Sequence, residues 1–346
     1  MKAARLHKNE SLLRIEDVPI PETGKNKILV RIKCCGVCGS DIHATVHKQV
    51  SLKNTPVAMG HESSGIVEET GEGVSSFRKG DRVVISAGTS CGVCRFCVSG
   101  RENYCEKKGV LGFDSDGAFA EFILTEERYL TRLPDSIPFD EGAILADAVS
   151  TPYHALKYQG RLEAGESVAV IGCGGLGVHA VVLAKALGAG KVTAVDIDDG
   201  ALEHAEKYGA DVLINAKTSR NLGKTIREVS GGIDVFCDFS GYYKNIEDSV
   251  RTMNSGGRMV MVGIGKHSLN IGFAMNLVDR QICITGSLGC DKRAIPELIS
   301  LYEKGRLNLS RSITSRHSIE EVNDCLENLY RRTGNPIRFI IEPGSA

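Results

Sequence analysis

The sequence predicts a two-domain α/β protein, in which a β-rich domain is combined with a doubly wound parallel sheet. Three observations predict this fold class. With 346 residues, the chain exceeds the size at which a single hydrophobic core usually forms. Short β-rich runs separated by turn residues fill the chain up to about residue 148. From about residue 165, apolar strands alternate with helical segments.

The first region is expected to form a largely antiparallel or barrel-like β domain. Its runs ILVRIKCCGV (28–37), SGIVEETG (64–71) and DRVVIS (81–86) are rich in β-branched residues and lie between turn signals. Such short, separately bounded strands are typical of antiparallel sheets.

The second region is expected to form a parallel sheet with helices on both faces. Apolar strands alternate here with helical segments such as LGVHAVVLAKALGA (176–189), which is the pattern of βαβ units. The predicted strands are 167–172, 191–196, 211–215, 234–240, 258–263 and 283–287.

The C-terminal tail predicts two amphipathic helices and a last strand. The helical runs are AIPELISLYEKGRL (294–307) and SIEEVNDCLENLYRR (318–332), and the strand is IRFIIEP (337–343).

Charge and composition exclude several classes of partner. The chain carries 42 Lys and Arg against 43 Asp and Glu, and it has no basic, aromatic-laced patch, so we expect neither a nucleic-acid nor a membrane partner. The charged N-terminus lacks an apolar signal segment, which favours a cytoplasmic protein. In that compartment the twelve cysteines favour metal ligation over disulfides.

A glycine turn predicts a dinucleotide site. Gly172, Gly174 and Gly177 fit G-x-G-x-x-G between a strand and a helix, a context in which backbone N–H groups can hold a pyrophosphate. Asp196 closes the following strand, where an acidic residue binds ribose hydroxyls. Since no Arg or Lys follows it immediately, NAD is favoured over NADP.

A four-cysteine segment, CGVCRFCVSGRENYC (91–105), predicts a structural zinc site. Four thiolates fill the tetrahedral coordination of zinc and leave no position for a substrate. A disulfide knot or a redox C-x-x-C pair is the alternative, but two overlapping pairs plus a fourth cysteine favour metal. The ligands are Cys91, Cys94, Cys97 and Cys105.

A more dispersed set of residues is consistent with a second, open metal site. Cys38 and His61 are joined as ligands by either Glu62 or Asp147, with Asp41 as a supporting carboxylate. Three protein ligands leave a fourth position for water or an alcohol oxygen, as a catalytic zinc requires. On spacing alone, the alternative is that His61 is an ordinary loop or packing residue.

With these motifs, the whole chain resembles the medium-chain zinc-dependent alcohol dehydrogenases. The similarity lies in GVCGSDIH (36–43), GHESSGIVEETGEGV (60–74), the four-cysteine lobe and GCGGLG (172–177), which occur in the family's order. The resemblance implies a GroES-like β-barrel catalytic domain with a Rossmann domain inserted into it. The implied boundaries are 1–148 and 289–346 for the catalytic domain, with the structural zinc lobe at 91–105, and 149–288 for the Rossmann domain.

The resemblance also implies the roles of individual residues. Cys38 and His61 would bind the catalytic zinc. Asp41 would orient His61, and Glu62 would lie behind the metal. Ser40 would take the hydroxyl proton of the substrate.

Further residues are implied for the proton path and the cofactor. His43 would pass the proton from Ser40 towards solvent by way of the nicotinamide ribose. The cofactor-binding residues that we predict are Gly172, Gly174, Gly175, Leu176, Gly177, Asp196, Thr151 at the nicotinamide, Val262, and Arg338 at the pyrophosphate.

Two positions depart from many members of the family. Asp147 stands where a third cysteine or a glutamate is common, and its harder oxygen donor predicts a zinc that is more Lewis-acidic and more easily chelated. Glu62 could take the place of Asp147 as ligand. Gly39 replaces a basic residue near the pyrophosphate, which predicts faster cofactor release.

The sequence therefore predicts an NAD-dependent enzyme with two zinc ions per chain that oxidises an alcohol to a ketone or aldehyde. A secondary, cyclic or polyol substrate is expected, and the enzyme is expected to be a homodimer or homotetramer. The alternatives are a zinc-free medium-chain reductase of the quinone or enoyl type, and a non-catalytic NAD- or zinc-binding protein. These would leave Cys38, His61, Asp147 and Ser40 unexplained as a set.

Overall fold

The structure, a computed structural model, describes residues 1–50, 52–266, 268–272 and 274–344. The strands are, in chain order, β1 (Lys2–Leu6), β2 (Leu13–Asp17), β3 (Ile28–Gly36), β4 (Val57–Ala58), β5 (Glu62–Thr70), β6 (Arg82–Ile85), β7 (Gly88–Thr89), β8 (Gly109–Val110), β9 (Phe122–Thr125), β10 (Leu130–Arg132), β11 (Ser167–Ile171), β12 (Lys191–Asp196), β13 (Val212–Asn215), β14 (Ile233–Asp238), β15 (Met253–Met261), β16 (Cys283–Gly286), β17 (Ile313–His317) and β18 (Arg338–Ile341).

The helices follow the same chain order. They are α1 (Gly39–Thr45), α2 (Arg95–Val98), α3 (Phe139–Leu145), α4 (Ser150–His154), α5 (Gly177–Ala186), α6 (Asp199–Lys207), α7 (Leu222–Ser230), α8 (Lys244–Ser249), α9 (Met275–Arg280), α10 (Ala294–Glu303) and α11 (Val322–Arg331). A π-helical turn at Ala155–Gln159 extends α4. None of the helices in the described part of the chain has both the length and the apolar character needed to cross a membrane.

The chain divides into two compact units. The β unit comprises Met1–Ser150 and Gly289–Ala346, and the α/β unit comprises Thr151–Leu288.

The β unit is built on a sheet in which both ends of the chain take part. Its strand order is β10-β6-β5-β3-β18-β17, and β9 also pairs with β3. All of these pairs are antiparallel except β17–β18, which is parallel. Smaller sheets, β2-β1-β4 and β7-β8, complete the unit. The central position of β3 in this sheet follows from its burial. Its sequence, ILVRIKCCG, is buried almost throughout, so the strand needs neighbours on both edges and both faces.

The α/β unit contains a six-stranded parallel sheet of order β13-β12-β11-β14-β15-β16. This is the doubly wound order: β12 and β13 are added on one side of β11, and β14, β15 and β16 on the other. The fold class predicted from the sequence, a β domain combined with a doubly wound parallel sheet, is confirmed. The apolar strands SVAVI and KVTAVD are buried because helices cover both faces of such a sheet.

Two elements differ from the sequence prediction. β15 begins at Met253, five residues before the predicted start at 258, and runs through Gly256 and Gly257. The register between β14 and β15 shifts between Ile233 and Val235, and this irregularity admits a glycine-rich segment that otherwise reads as a turn. The second tail helix is divided: Ile319–Glu321 forms a 3₁₀ turn before α11 begins.

Candidate active site

The glycine turn joins β11 to α5 and leaves no room for a side chain at Gly172 or Gly177. Gly172 has φ +84°, a left-handed conformation that favours glycine. A Cβ on Gly177 would lie 1.8 Å from the carbonyl oxygen of Gly172. Gly174, Gly175 and Leu176 continue the turn after Cys173, and Leu176 is the N-cap residue of α5. A tight turn that is followed by a helix N-terminus is the kind of backbone arrangement that can bind a pyrophosphate.

Asp196 closes β12 and is tied to this turn. Its Oδ2 accepts from the backbone N–H of Cys173 at 2.6 Å, and its Oδ1 accepts from those of Ile197 and Asp198 at 2.7 and 3.0 Å. The carboxylate is therefore held in one orientation at the carboxyl end of the sheet. Val262 directly follows β15 at the same edge of the sheet. Thr151 lies on α4 and is buried.

The four cysteines of the 91–105 lobe converge. The Sγ–Sγ distances are 3.5 Å for Cys94–Cys97, 3.6 Å for Cys91–Cys105 and 3.9 Å for Cys91–Cys97. Thiolates bound at about 2.3 Å to a tetrahedral zinc lie roughly 3.8 Å from one another. The lobe thus has the donors and the spacing of a closed zinc site. None of the twelve cysteines, each within the described chain, forms a disulfide.

The dispersed residues converge as well. Cys38 Sγ lies 3.6 Å from Asp147 Oδ2, and the same carboxylate oxygen lies 3.7 Å from His61 Nε2. Ligand atoms of Cys38, His61, Glu62 and Asp147 lie within 4.8 Å of one another. Together with the four cysteines of the lobe, they are the two groups among the described residues that could hold a metal ion. One sulfur, one imidazole nitrogen and one carboxylate oxygen form a donor set that suits zinc with one position open.

Local structure fixes two of these donors. Cys38 is the residue before α1, and its N–H donates to Asp41 Oδ2 at 2.9 Å. Asp41 Oδ1 lies 3.4 Å from His61 Nδ1. Asp41 is fully buried, so one carboxylate anchors both the helix start and the imidazole. This arrangement leaves Nε2 of His61 directed at the other donors.

The electrostatics of the cluster follow from its burial. Burial alone would lower the pKa of His61, but the carboxylates of Asp41 and Asp147 and the thiol of Cys38 raise it well above its ordinary value. Burial, together with the charge of Glu62, raises the pKa of the Cys38 thiol. Such a cluster of acceptors favours a cation at its centre, and a divalent metal would replace the protons that these groups otherwise retain.

Glu62 and Arg338 form a buried pair next to the cluster. Burial raises the pKa of Glu62 to about 7 against the opposing effect of Arg338. Arg338 Nη1 lies 3.4 Å from Glu62 Oε1 and donates to the carbonyl of Val37 at 2.9 Å. Arg338 is 1% exposed. The structure therefore places Arg338 beside Glu62, and its contact with a pyrophosphate stays a prediction.

The predicted proton path begins at the cluster. Ser40 Oγ lies 3.0 Å from Cys38 Sγ and 3.4 Å from His61 Nε2. His43, one turn further along α1, is half-buried, and its Nδ1 is buried without a hydrogen-bond partner. Burial, and next the neighbouring His47, lower the pKa of His43.

Three contributors to the site were not found from the sequence. The pairing of Arg338 with Glu62 is one. Gly36 is another, because a Cβ there would lie 2.3 Å from Glu62 Oε2. The third is Phe113, whose ring centroid lies 5.3 Å from that of His61. Only Gly36 left a signal, as a glycine in an otherwise buried β-branched strand.

These sites define a class of protein: an oxidoreductase with a closed zinc site, an open zinc site and a dinucleotide-binding sheet. Comparison with known proteins gives the family. Residues 24–135 match the alcohol dehydrogenase GroES-like domain, and residues 175–304 match the zinc-binding dehydrogenase domain.

Individual relatives match this chain over nearly its full length. The chain is 33% identical over 332 residues to an alcohol dehydrogenase of Geobacillus stearothermophilus, which covers 96% of both chains. It is 29% identical over 351 residues to a sorbitol dehydrogenase of Bacillus subtilis, covering 99% of this chain and 97% of the relative. A crystal structure of 2R,3R-butanediol dehydrogenase from Bacillus subtilis superposes with a TM-score of 0.90 at 27% identity, covering 99% of each chain. The chain belongs to the medium-chain zinc-dependent alcohol dehydrogenase family, whose members act on CH–OH groups.

Proposed function

We propose that this enzyme oxidises a secondary alcohol or polyol to the corresponding carbonyl compound with NAD⁺ as the hydride acceptor. The observation that carries the proposal is the convergence of Cys38, His61 and Asp147 with Ser40 beside them. Two of the relatives are named for polyols, sorbitol and butanediol, which supports this substrate class. A cytoplasmic location and a homodimer or homotetramer stay predictions.

In the proposed site, Cys38, His61 and Asp147 hold zinc, and Cys91, Cys94, Cys97 and Cys105 hold a second, structural zinc. When bound, the catalytic zinc supplies Lewis acidity that lowers the pKa of an alcohol, and NAD⁺ accepts the hydride. Ser40 accepts the hydroxyl proton of the substrate, and His43 carries it onward. Asp41 holds His61 in the tautomer that directs Nε2 at the metal position.

For the cofactor, we propose binding across Gly172, Gly174, Gly175, Leu176 and Gly177, with the ribose on Asp196. Three backbone N–H groups fix the Asp196 carboxylate. A fixed negative charge accepts ribose hydroxyls and repels a 2′-phosphate, so NAD is preferred to NADP. Thr151, Val262 and Arg338 stay predicted contacts of the nicotinamide end and the pyrophosphate.

Zinc content and activity test the function together. We expect two zinc ions per chain by elemental analysis and NAD⁺ reduction with members of an alcohol and polyol panel. Mild chelation should remove the three-ligand zinc first, because four thiolates bind zinc more firmly than a set that contains a carboxylate. Activity should disappear with that first ion. One zinc per chain and turnover that is unaffected by chelation would contradict the proposal and favour a zinc-free reductase.

Replacing Ser40 with alanine tests the proton path. Because general acid–base catalysis contributes about 10²–10⁴-fold, kcat should fall by at least about 10²-fold, while NAD⁺ binding stays unchanged. The measurement is kcat for alcohol oxidation together with the Kd of NAD⁺ by fluorescence titration. Ser40→Thr retains the hydroxyl and is the matched control. Normal turnover by Ser40→Ala would show that the proton leaves by another path.

A further inference from the structure

The region beyond His43 contains a second histidine that the proposed function leaves without a role. His47 follows α1 and is exposed, and its ring centroid lies 5.4 Å from that of His43. The two rings are tilted by 39°. A separation of this size allows one water molecule to bridge a nitrogen of each ring, which is within the range of proton transfer.

His43 alone does not complete a path for the proton to solvent. It is half-buried, and its Nδ1 is enclosed without a hydrogen-bond partner. A buried polar atom of this kind requires a partner, either a water molecule or a group that comes close during function. The exposed His47 is the neighbouring group able to exchange protons with solvent.

The side chains around His47 are compatible with proton transfer from His43 to His47. From α11, the ring of Tyr330 meets that of His47 edge-on at 5.6 Å. Among the charged groups nearby, Arg331 is paired with Glu327, and Lys48 donates to the carbonyl of Glu10. The backbone N–H of Gln49 donates to the carbonyl of His43 at 2.8 Å, and the Gln49 side chain beside the His43 imidazole raises its pKa against the effects of burial and His47.

We infer that His47 accepts the proton from His43 and releases it to solvent, so that the two histidines form one proton outlet. This inference rests on the proposed function, because alcohol oxidation by NAD⁺ releases one proton per turnover. In the step, an N–H bond of His43 breaks and an N–H bond of His47 forms. The proton then passes from His47 to water or to a buffer base. Because only a proton moves, neither histidine is oxidised or reduced.

The variant His47→Phe separates proton transfer from packing. Phenylalanine keeps an aromatic ring against His43 and Tyr330 but cannot carry a proton. We expect kcat/KM for the alcohol to fall in dilute buffer near pH 6.5, by less than the roughly 10²-fold expected for a group that takes the proton from the substrate itself, because His47 acts later in the path. Imidazole or concentrated buffer should restore it, because a soluble base then takes the place of His47.

The pH profile gives a second readout. The charge of His47 lowers the pKa of His43, so its removal raises that pKa and moves the acid limb of kcat/KM to higher pH. Tyr330→Phe, which changes the packing partner alone, should leave both the profile and the rescue by imidazole as in wild type.

The outcomes are distinguishable. A His47→Phe enzyme with wild-type kcat/KM and acid limb overturns the inference, and so does a loss that imidazole does not restore. If the wild-type enzyme oxidises no alcohol with NAD⁺, the proposed function itself fails, which is a separate result.

Discussion

Asp147→Ala is expected to remove one zinc ion per chain and to lower kcat for alcohol oxidation by at least about 10³-fold. A catalytic metal supplies several kcal/mol of transition-state stabilisation, and each 1.36 kcal/mol corresponds to about tenfold in rate. Asp147 Oδ2 is the atom that approaches both Cys38 Sγ, at 3.6 Å, and His61 Nε2, at 3.7 Å. Its removal leaves two ligands, too few for firm zinc binding. Zinc analysis and steady-state kinetics measure the result.

Two control variants test which carboxylate is the ligand. Glu62→Gln should retain both zinc ions, because Glu62 is already engaged by Arg338 at 3.4 Å. Asp147→Cys should also retain them and should resist chelation longer than wild type, since a thiolate is a softer and better donor for zinc. Loss of a zinc ion in Glu62→Gln, with Asp147→Ala still loaded, would reverse the assignment.

The parallel-sheet unit could be predicted from the sequence nearly element by element. Its strands are local apolar runs, and G-x-G-x-x-G marks the first turn, so short-range patterns contain most of the information. The start of β15 could not be predicted, because Gly256 and Gly257 lie in the irregularity between the pairs Ile233–Met253 and Val235–Arg258, which exists only in the assembled sheet.

The β unit was less accessible to prediction. β4, β7 and β8 contain two residues each, and such strands exist only through partners that are distant in the chain. The sequence predicted a β domain in this region, but not where these short strands begin and end. Pairing of β18 with β3 is likewise a long-range event that no local pattern reveals.

The same reason separates the predicted from the missed parts of the site. Cys38, His61 and Asp147 were predicted because each belongs to a recognisable segment. The pair Glu62–Arg338 was missed because it depends on strand register: Gly36 is opposite Glu62 on β5 and opposite Ile340 on β18. Only the folded sheet shows that a glycine between these strands makes room for the Glu62 carboxylate.

Arg338→Met is expected to destabilise the enzyme by up to about 3–5 kcal/mol at a pH where Glu62 is ionised, because it leaves that carboxylate buried without a counter-charge. The pKa of Glu62 is about 7 beside Arg338 and rises when Arg338 is removed, so Glu62 takes up a proton at lower pH and the loss becomes smaller there. Glu62 is 0% exposed and Arg338 is 1% exposed, so water cannot replace the missing partner. For a domain of this size, the loss corresponds to a fall in Tm of roughly 6–20 °C. Thermal unfolding of the zinc-loaded protein is the measurement.

The double variant Glu62→Gln/Arg338→Met separates the pair from the individual side chains. With both charges removed, no uncompensated carboxylate remains, so the double variant should be more stable than Arg338→Met alone. An equal Tm for the two variants would mean that packing of the arginine, and not its charge, stabilises the fold. An Arg338→Met enzyme with wild-type Tm but a raised KM for NAD⁺ would instead assign Arg338 to the pyrophosphate. The buried pair beside the metal cluster favours the result in which the double variant is more stable than Arg338→Met. An arginine that neutralises Glu62 also keeps a second carboxylate from competing with Asp147 for zinc.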